Sequence, residues 1–331
     1  MSELRPVASD PGPLPKAVAL VARACERMGL ELEILDPEYN YLFEVRGPGF
    51  VKILLGGISP LNDKVASRLA SDKYYTGLIL ARAGYRVPQS ERCLAPGHFA
   101  NPSYQLRAGV GPGLAFADRL GYPVIVKPNR ASKGREVTEV DSPDELCRAM
   151  ARIFAFDAVA LVQGIVPTPD VRLDFVDGEY LMGYERMPLA VVGDGARDVR
   201  TLVIAADPRF AEDWRWPDLT DDERRAYARV PASGERVPLS GAVLNLNRFA
   251  RARFIERLPD AWLEHSLGIG RALGLRHFGI DYRGAALDEP PERATVIEVN
   301  SSPLLLRIHD LGWAEQAIQA QMRVLRAMIS E

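Results

Sequence analysis

The sequence predicts an α/β (α+β) protein, and three observations carry that prediction. Segments with helical spacing interleave with segments of strand spacing along the whole chain, which excludes a pure bundle or sandwich. Hydrophobic residues make up 47% and charged residues 26% of 331, an ordinary globular balance with enough apolar content for a sizeable core. No internal repeat or low-complexity stretch is visible. At roughly 100–200 residues per domain, the length allows two or three lobes.

The elements follow in order. Residues 1–15 are rich in Pro, Gly and polar residues and read as a loose tail. Lys16 opens an apolar-periodic helix that Gly29 ends. E-L-E-I-L-D alternates like a strand, and Y-L-F-E-V-R and F-V-K-I-L-L-G form a hairpin around G-P-G at 47–49. Residues 63–83 read as one helix ending at Gly84, and V-P at 87–88 starts an extended segment. D-R-L-G-Y-P-V-I-V-K (118–127) is a helix end, a turn and a buried strand closing on a lysine. A-S-K-G-R (131–135) turns the chain into E-V-T-E-V. Ser142, Pro143, Asp144 and Glu145 start a helix over 142–156: an N-cap, a first-position proline and acids in the first turn. A-V-A-L-V-Q is a buried strand, and V-R-L-D-F-V and Y-L-M-G-Y-E-R flank a D-G-E turn. P-L-A-V-V-G-D-G leads into a charged, Trp-containing region at 207–229, with Trp214 and Trp216 read as local packing, and then a short strand V-L-N-L-N. A helix over 259–273 stops at Gly274; the strands F-G-I-D-Y-R and T-V-I-E-V-N and an amphipathic helix from Gly312 to Ser330 close the chain.

Composition removes several function classes. Lysine plus arginine number 41 and aspartate plus glutamate 44, a net charge of −3, which argues against general nucleic-acid or anionic-membrane binding. No stretch approaches the roughly 20 apolar residues of a membrane span. The N-terminus carries no apolar run of signal-peptide length. Cys25, Cys93 and Cys147 are odd in number and far apart, with no metal spacing and no disulfide framework. The expected setting is the reducing cytoplasm. The four histidines, His98, His265, His277 and His309, show no metal spacing; His309 follows the N-S-S-P loop, within range of a substrate.

Six lysines stand among the 41 basic residues, and none lies beyond position 133. A lysine kept inside a motif of such a chain draws attention, because ammonium and guanidinium are not interchangeable. Three constellations carry chemistry. Asp281 sits in an apolar strand, where an unpaired carboxylate is costly. Glu298 and Asn300 are two apart and share one strand face. These hard oxygen donors suit Mg²⁺ completed by waters and phosphates; alternatively, Glu298 pairs with one of the many arginines. Lys127 closes P-V-I-V-K-P ahead of the S-K-G turn, an arrangement that either holds phosphates or is a solvated hairpin. In A-L-V-Q-G-I-V-P-T-P-D-V-R (160–172) a strand breaks at Gly164 and resumes with Asp170 and Arg172: either a nucleotide hinge or an ordinary link.

These motifs in this order resemble the ATP-grasp superfamily, over about residues 60–305. The segment S-D-K-Y-Y-T-G-L-I-L-A-R-A-G-Y-R-V-P resembles the family's helix with an A-G-x-x-V-P turn. D-V-R-L-D-F-V-D-G-E-Y-L-M-G-Y-E-R-M-P-L-A-V-V-G-D-G is similar to the branch holding the cyanophycin synthetase ligase core and bifunctional glutathione synthases. The resemblance implies two α+β lobes gripping ATP, preceded by a small N-terminal α/β domain. The implied division is a flexible tail (1–15), a pre-ATP-grasp domain (16–90), a central lobe with lysine strand and glycine loop (91–185) and a C-terminal lobe with metal ligands (186–331).

For ATP it implies Lys73, Lys127, Lys133 and Gly134 at the phosphates, Gln163, Ile165 and Val166 at the adenine, and Asp170 at the ribose. For metal it implies Asp281, Glu298 and Asn300, holding Mg²⁺ with Mn²⁺ as an alternative ion. Arg186 would bind the substrate carboxylate and then the oxyanion, and Asn245 would add a metal or phosphate contact. The loops at 129–135 and 193–200 are the implied lids. The branch usually continues from its asparagine with N-L-S-x-G-G, where this chain has N-L-N-R-F-A-R-A-R, so the acceptor pocket differs.

The implied activity is ATP-dependent carboxylate–amine ligation on small-molecule carboxylate and amine substrates, with neither nucleic acid nor membrane as partner and a homodimer as the common arrangement. A carboxylate phosphotransferase and a non-catalytic ATP-binding regulator remain the other readings. The complete set of lysines and acids counts against the regulator.

Overall fold

In the computed structural model, residues 14–98, 101–131, 134–211, 221–239 and 250–330 are described. Most of the expected tail, Lys133, Trp214, Trp216 and the V-L-N-L-N strand with Asn245 lie outside them. In chain order the elements are α1 (Lys16–Met28), β1 (Glu31–Ile34), β2 (Leu42–Gly47), β3 (Phe50–Leu55), α2 (Lys64–Ala70), α3 (Lys73–Arg82), β4 (Ser90–Leu94), α4 (Gly111–Leu120), β5 (Val124–Pro128), β6 (Thr138–Val140), α5 (Pro143–Phe154) and β7 (Val159–Gln163). There follow β8 (Asp170–Val176), β9 (Glu179–Pro188), β10 (Ala190–Val192), α6 (Val199–Ala206), α7 (Asp221–Ala228), β11 (Arg236–Pro238), β12 (Ala250–Ile255), α8 (Asp260–Leu273), β13 (His277–Arg283), β14 (Thr295–Ser301), α9 (Leu306–Asp310) and α10 (Ala314–Ile329).

The chain divides into two compact units, neither of them a continuous stretch. The first comprises Met1–Gln89, Thr168–Glu185 and Phe254–Glu331; the second comprises Ser90–Pro167 and Arg186–Arg253. The interleaving has a direct cause. β8 pairs along its full length with β13, from Asp170↔Arg283 to His277↔Val176, so a strand expected to follow β7 folds with residues a hundred positions later.

In the first unit, β1-β2-β3 form an antiparallel sheet, and the sheet order around the C-terminal strands is β12-β9-β8-β13-β14. One face of β8, β13 and β14 is apolar. Val171, Leu173, Phe175, Phe278, Ile280, Tyr282 and Val299 pack there with Trp262 and Ile269 of α8. The polar tips in this core are satisfied: Trp262 donates to the Glu289 carbonyl at 3.0 Å, and the Ser266 and Tyr282 hydroxyls lie 2.9 Å apart. In the second unit, the order β4-β7-β5-β6 places α4 and α5 over Val124, Val126, Ala160 and Val162. A smaller cluster of Leu189, Val191, Val199, Leu202, Val203 and Phe210 holds β10 and α6.

The helix expected over 63–83 is two helices. α2 ends at Ala70 and α3 starts at Lys73. Asp72 leaves the helical region, and its side chain accepts the Tyr75 N–H at 3.1 Å as the N-cap of α3. Thr76 ties the break by donating its hydroxyl to the Leu69 carbonyl at 2.7 Å. The apolar spacing continues across the break, so periodicity alone does not reveal it. Part of the 193–200 segment is also regular. Asp194 accepts from the Ala196 and Arg197 N–H groups at 2.9 and 2.8 Å, and Asp198 caps α6 through the Thr201 N–H.

Candidate active site

The polar face of β8, β13 and β14 lies opposite the core just described. Direct cross-strand partners share a face, and the register sets three rows. Asp170 stands beside Arg283; Arg172 beside Asp281 and then Glu298; Asp174 beside Gly279 and then Asn300. The ladder is regular down to Asp281, where a bulge separates it from Tyr282. The sequence therefore assembles this face by alternation: every second residue of an otherwise apolar strand is charged, polar or glycine.

Arg172 is the centre of the face. Its Nε–H donates to Asp174 Oδ1 at 2.6 Å and its Nη1–H to Asp281 Oδ2 at 2.9 Å. Burial alone would lower the guanidinium pKa. The carboxylates of Asp174 and Asp281 outweigh that and hold it above its ordinary value. Gly279 makes room for it: a Cβ there would stand 2.1 Å from Asp174 Oδ1 and 2.2 Å from Arg172 Nη2. Asn300 Nδ2 also donates to Asp281 Oδ2, at 3.2 Å. One row along, Arg283 Nε–H donates to Asp170 Oδ2 at 2.7 Å.

Lys73 enters this face from the first position of α3. Its side chain is almost fully buried, and Nζ lies 3.4 Å from Glu298 Oε1. A lysine is unfavourable at a helix N-terminus by itself; together with the positive end of the helix dipole it makes a spot suited to an anion. Lys73, Asp170, Asp281, Glu298 and Asn300 are thus brought together in the first unit. Glu298, for which an arginine partner was the alternative, has a lysine beside it.

The second unit holds Lys127, Gln163, Ile165, Val166, Gly134 and Arg186. Lys127 is only 5% exposed, on an inner strand of its sheet, so the solvated hairpin is excluded. Val126 and Val162 face the α4–α5 core, and alternation puts Lys127, Leu161 and Gln163 on the other face. Gln163 and Asn129 are buried there too. Ile165 and Val166 follow β7 in irregular, half-buried chain, and Gly134 turns with φ +70°. Arg186 is half-buried near the end of β9.

The donor set fits a hard divalent cation. Asp281 and Glu298 are cross-strand neighbours, and Asn300 adds an amide oxygen. Among the described residues no group of three or more His, Cys, Asp or Glu could hold a metal. A cation here would rely on phosphates and waters for its remaining ligands, as Mg²⁺ sites commonly do.

Sequence reading missed the place of Arg172, Asp174 and Gly279 in this face. The period-2 charges of D-V-R-L-D were the available signal. It also missed His277. This imidazole is buried on the same face, with Nδ1 2.8 Å from the Ser59 hydroxyl and Nε2 without a partner. Asn62 holds its backbone, donating to the His277 carbonyl and accepting the Arg276 and His277 N–H groups. His309 lies on α9 beside Asp310. Cys25 and Cys93 are buried free thiols, pushed up to about 11 and about 12 by burial. Among the described residues no helix is long and apolar enough to cross a membrane.

No family model matches the chain. It is 24% identical over 323 residues to the glutathione biosynthesis bifunctional protein GshAB of Enterococcus faecalis, covering 92% of this chain and 41% of that one. The corresponding protein of Desulfotalea psychrophila is 21% identical over 307 residues, 86% of this chain and 37% of that one. A D-alanine–D-alanine ligase of Actinobacillus succinogenes is 28% identical over 121 residues, 36% of this chain and 39% of that one. The chain spans about two-fifths of the length of the GshAB relatives.

Among solved structures, a bifunctional glutathione synthetase from Pasteurella multocida aligns with TM-score 0.57 and 18% identity, over 95% of this chain and 44% of that one. The D-alanine–D-alanine ligase of Bacillus anthracis aligns with TM-score 0.50 and 16% identity, over 81% and 72%. The fold is the ATP-grasp fold that the motifs implied, shared with the bifunctional glutathione synthetase of Pasteurella multocida and the D-alanine–D-alanine ligase of Bacillus anthracis.

Proposed function

We propose that the chain is an ATP-dependent carboxylate–amine ligase acting on amino acids or small peptides and releasing ADP and phosphate. The observation that carries this reading is the row Lys73–Glu298–Asp281–Arg172: two carboxylates bracketed by two buried or nearly buried cations on one sheet face. A structural core has no need of so many desolvated charges, whereas phosphoryl transfer is largely positioning and charge neutralisation. The similarity to glutathione-synthesising and D-alanine-joining proteins points to the same bond type.

In this reading the substrate carboxylate oxygen attacks the γ-phosphorus and ADP leaves. The amine nitrogen then attacks the activated carbonyl carbon, phosphate departs, and the amine gives up a proton. Lys73 and the α3 N-terminus meet phosphate oxygens, and Lys127 supplies the second ammonium. Asp281, Glu298 and Asn300 would hold Mg²⁺, which neutralises phosphate charge when bound. Arg172 faces the same charge, and Arg186 would hold the substrate carboxylate and then the oxyanion. Gln163, Ile165 and Val166 would meet the adenine, Asp170 the ribose, and the described Gly134 belongs to the phosphate turn. Lys133 and Asn245 keep the roles the resemblance implies, outside the described residues. The chain is proposed to work in the cytoplasm.

The experiment is incubation with ATP, Mg²⁺ and pooled amino acids, with products read by mass spectrometry. Amine-dependent ADP release and a condensed product support ligation. A phosphorylated product independent of amine would replace it with a phosphotransferase, and AMP release would reject the scheme.

A further inference from the structure

The two carboxylates of the candidate metal set are engaged by the protein's own cations. Arg172 holds Asp281 Oδ2 at 2.9 Å, and the same oxygen takes the Asn300 amide hydrogen at 3.2 Å. Lys73 Nζ stands 3.4 Å from Glu298 Oε1. With Asp174, two cations face three carboxylates, leaving one net negative charge on the cluster. A bare divalent ion arriving at Asp281 meets a guanidinium and an ammonium a few ångströms away and must displace the first. Arg172 cannot yield by losing a proton, because guanidinium stays charged. It is also fixed by position, lying over Gly279 with its second arm on Asp174. A polyphosphate changes the balance: its oxygens give Lys73 and Arg172 new anionic partners in the step that frees Asp281 and Glu298.

We propose that Arg172 and Lys73 are resident counter-ions of the acidic set, so that the site rejects a free divalent cation and accepts one only together with a polyphosphate. The proposal rests on the ligase reading and deepens it by giving Arg172 and Lys73 a role before any nucleotide arrives. The coupling is reciprocal, since whatever helps the polyphosphate bind the ion helps the ion bind the polyphosphate by the same factor.

The probe is Mn²⁺ alone, titrated without nucleotide and followed by the loss of the free-ion electron paramagnetic resonance signal. Wild type is compared with Arg172→Gln and Lys73→Gln, each checked for native circular dichroism and a cooperative melt. Each variant is expected to bind one Mn²⁺ about tenfold more tightly than wild type. Adding Asp281→Asn to Arg172→Gln is expected to abolish that binding. Equal or weaker Mn²⁺ binding in the variants overturns the proposal, as does tight binding that survives Asp281→Asn. Should Arg172→Gln fail to fold, Lys73→Gln and its Glu298→Gln double variant decide. A fluorescent ATP analogue is titrated into wild type in parallel. Absence of analogue binding with the Mn²⁺ contrast intact would sink the ligase reading alone; analogue binding without the contrast would sink the counter-ion assignment alone.

Discussion

Gly279 is the residue on which the polar face turns. Its backbone is one that any residue can adopt, so a substitution there acts through crowding alone. In Gly279→Ala the new methyl group collides with the Arg172 and Asp174 side chains. The variant is expected to lose about 1–3 kcal/mol of stability, the usual cost of overpacking, together with ADP release; urea unfolding and a turnover assay check both. Lys127→Ala and Glu298→Ala are each expected to abolish ADP formation while the far-ultraviolet circular dichroism stays native. Arg186→Ala is expected to keep nucleotide binding and lose ligation, and full ligation in that variant would remove Arg186 from the site.

His277 makes a different residue-scale prediction. Burial first, and Arg172 next, push its imidazole down from 6.5 to about 4, with Asp177 pulling the other way. Below pH 6.5 the unfolded chain takes up a proton that the folded one refuses until about pH 4. Stability therefore falls as pH drops through that window, by roughly 2 kcal/mol between pH 7.5 and pH 5 from this group. Urea unfolding at the two pH values measures the loss, and His277→Gln should show a shallower one.

At the scale of elements, the break between α2 and α3 decides where Lys73 points. Asp72 is buried and ends the first helix by capping the second. Asp72→Ala is expected to cost about 1–2 kcal/mol, the range for a lost N-cap, and to weaken nucleotide binding, because the lysine is the next residue. Asp72→Asn, which keeps a capping oxygen, should recover most of both. Isothermal titration with an ATP analogue and chemical unfolding separate the two effects. This break was invisible in the sequence because Ser71 and Asp72 sit inside an uninterrupted apolar period. The α5 start was legible, since Ser142, Pro143, Asp144 and Glu145 carry their own capping chemistry in four consecutive residues. The hairpin of β8 and β9 was equally local, with Asp177 and Gly178 both at positive φ.

For the whole molecule, the interleaved units make a prediction of their own. A chain ending at Arg253 lacks β13 and β14, so β8 keeps β9 on one edge but loses β13 on the other, and the apolar face of Phe175 and Leu173 loses its cover. Hydrogen exchange is expected to find the β8 amides that bond to β13 unprotected in that truncated chain while those of β5 and β7 stay protected; full protection of those β8 amides would show that the unit holds without its C-terminal strands.

The sequence alone determined the alternation of helices and strands and most boundaries marked by glycine, proline or capping residues, and it singled out Lys127, Asp281, Glu298 and Asn300 as candidates, with Lys73 added by the family resemblance. Those are local signals: a period, a turn residue, a charge where an apolar residue is expected. Only the tertiary structure decided that β8 belongs with β13, that Arg172 is therefore the neighbour of Asp281, and that Gly279 is where its guanidinium lies. Strand pairing across a hundred residues is set by which apolar faces bury one another, and no window of neighbouring residues contains that information.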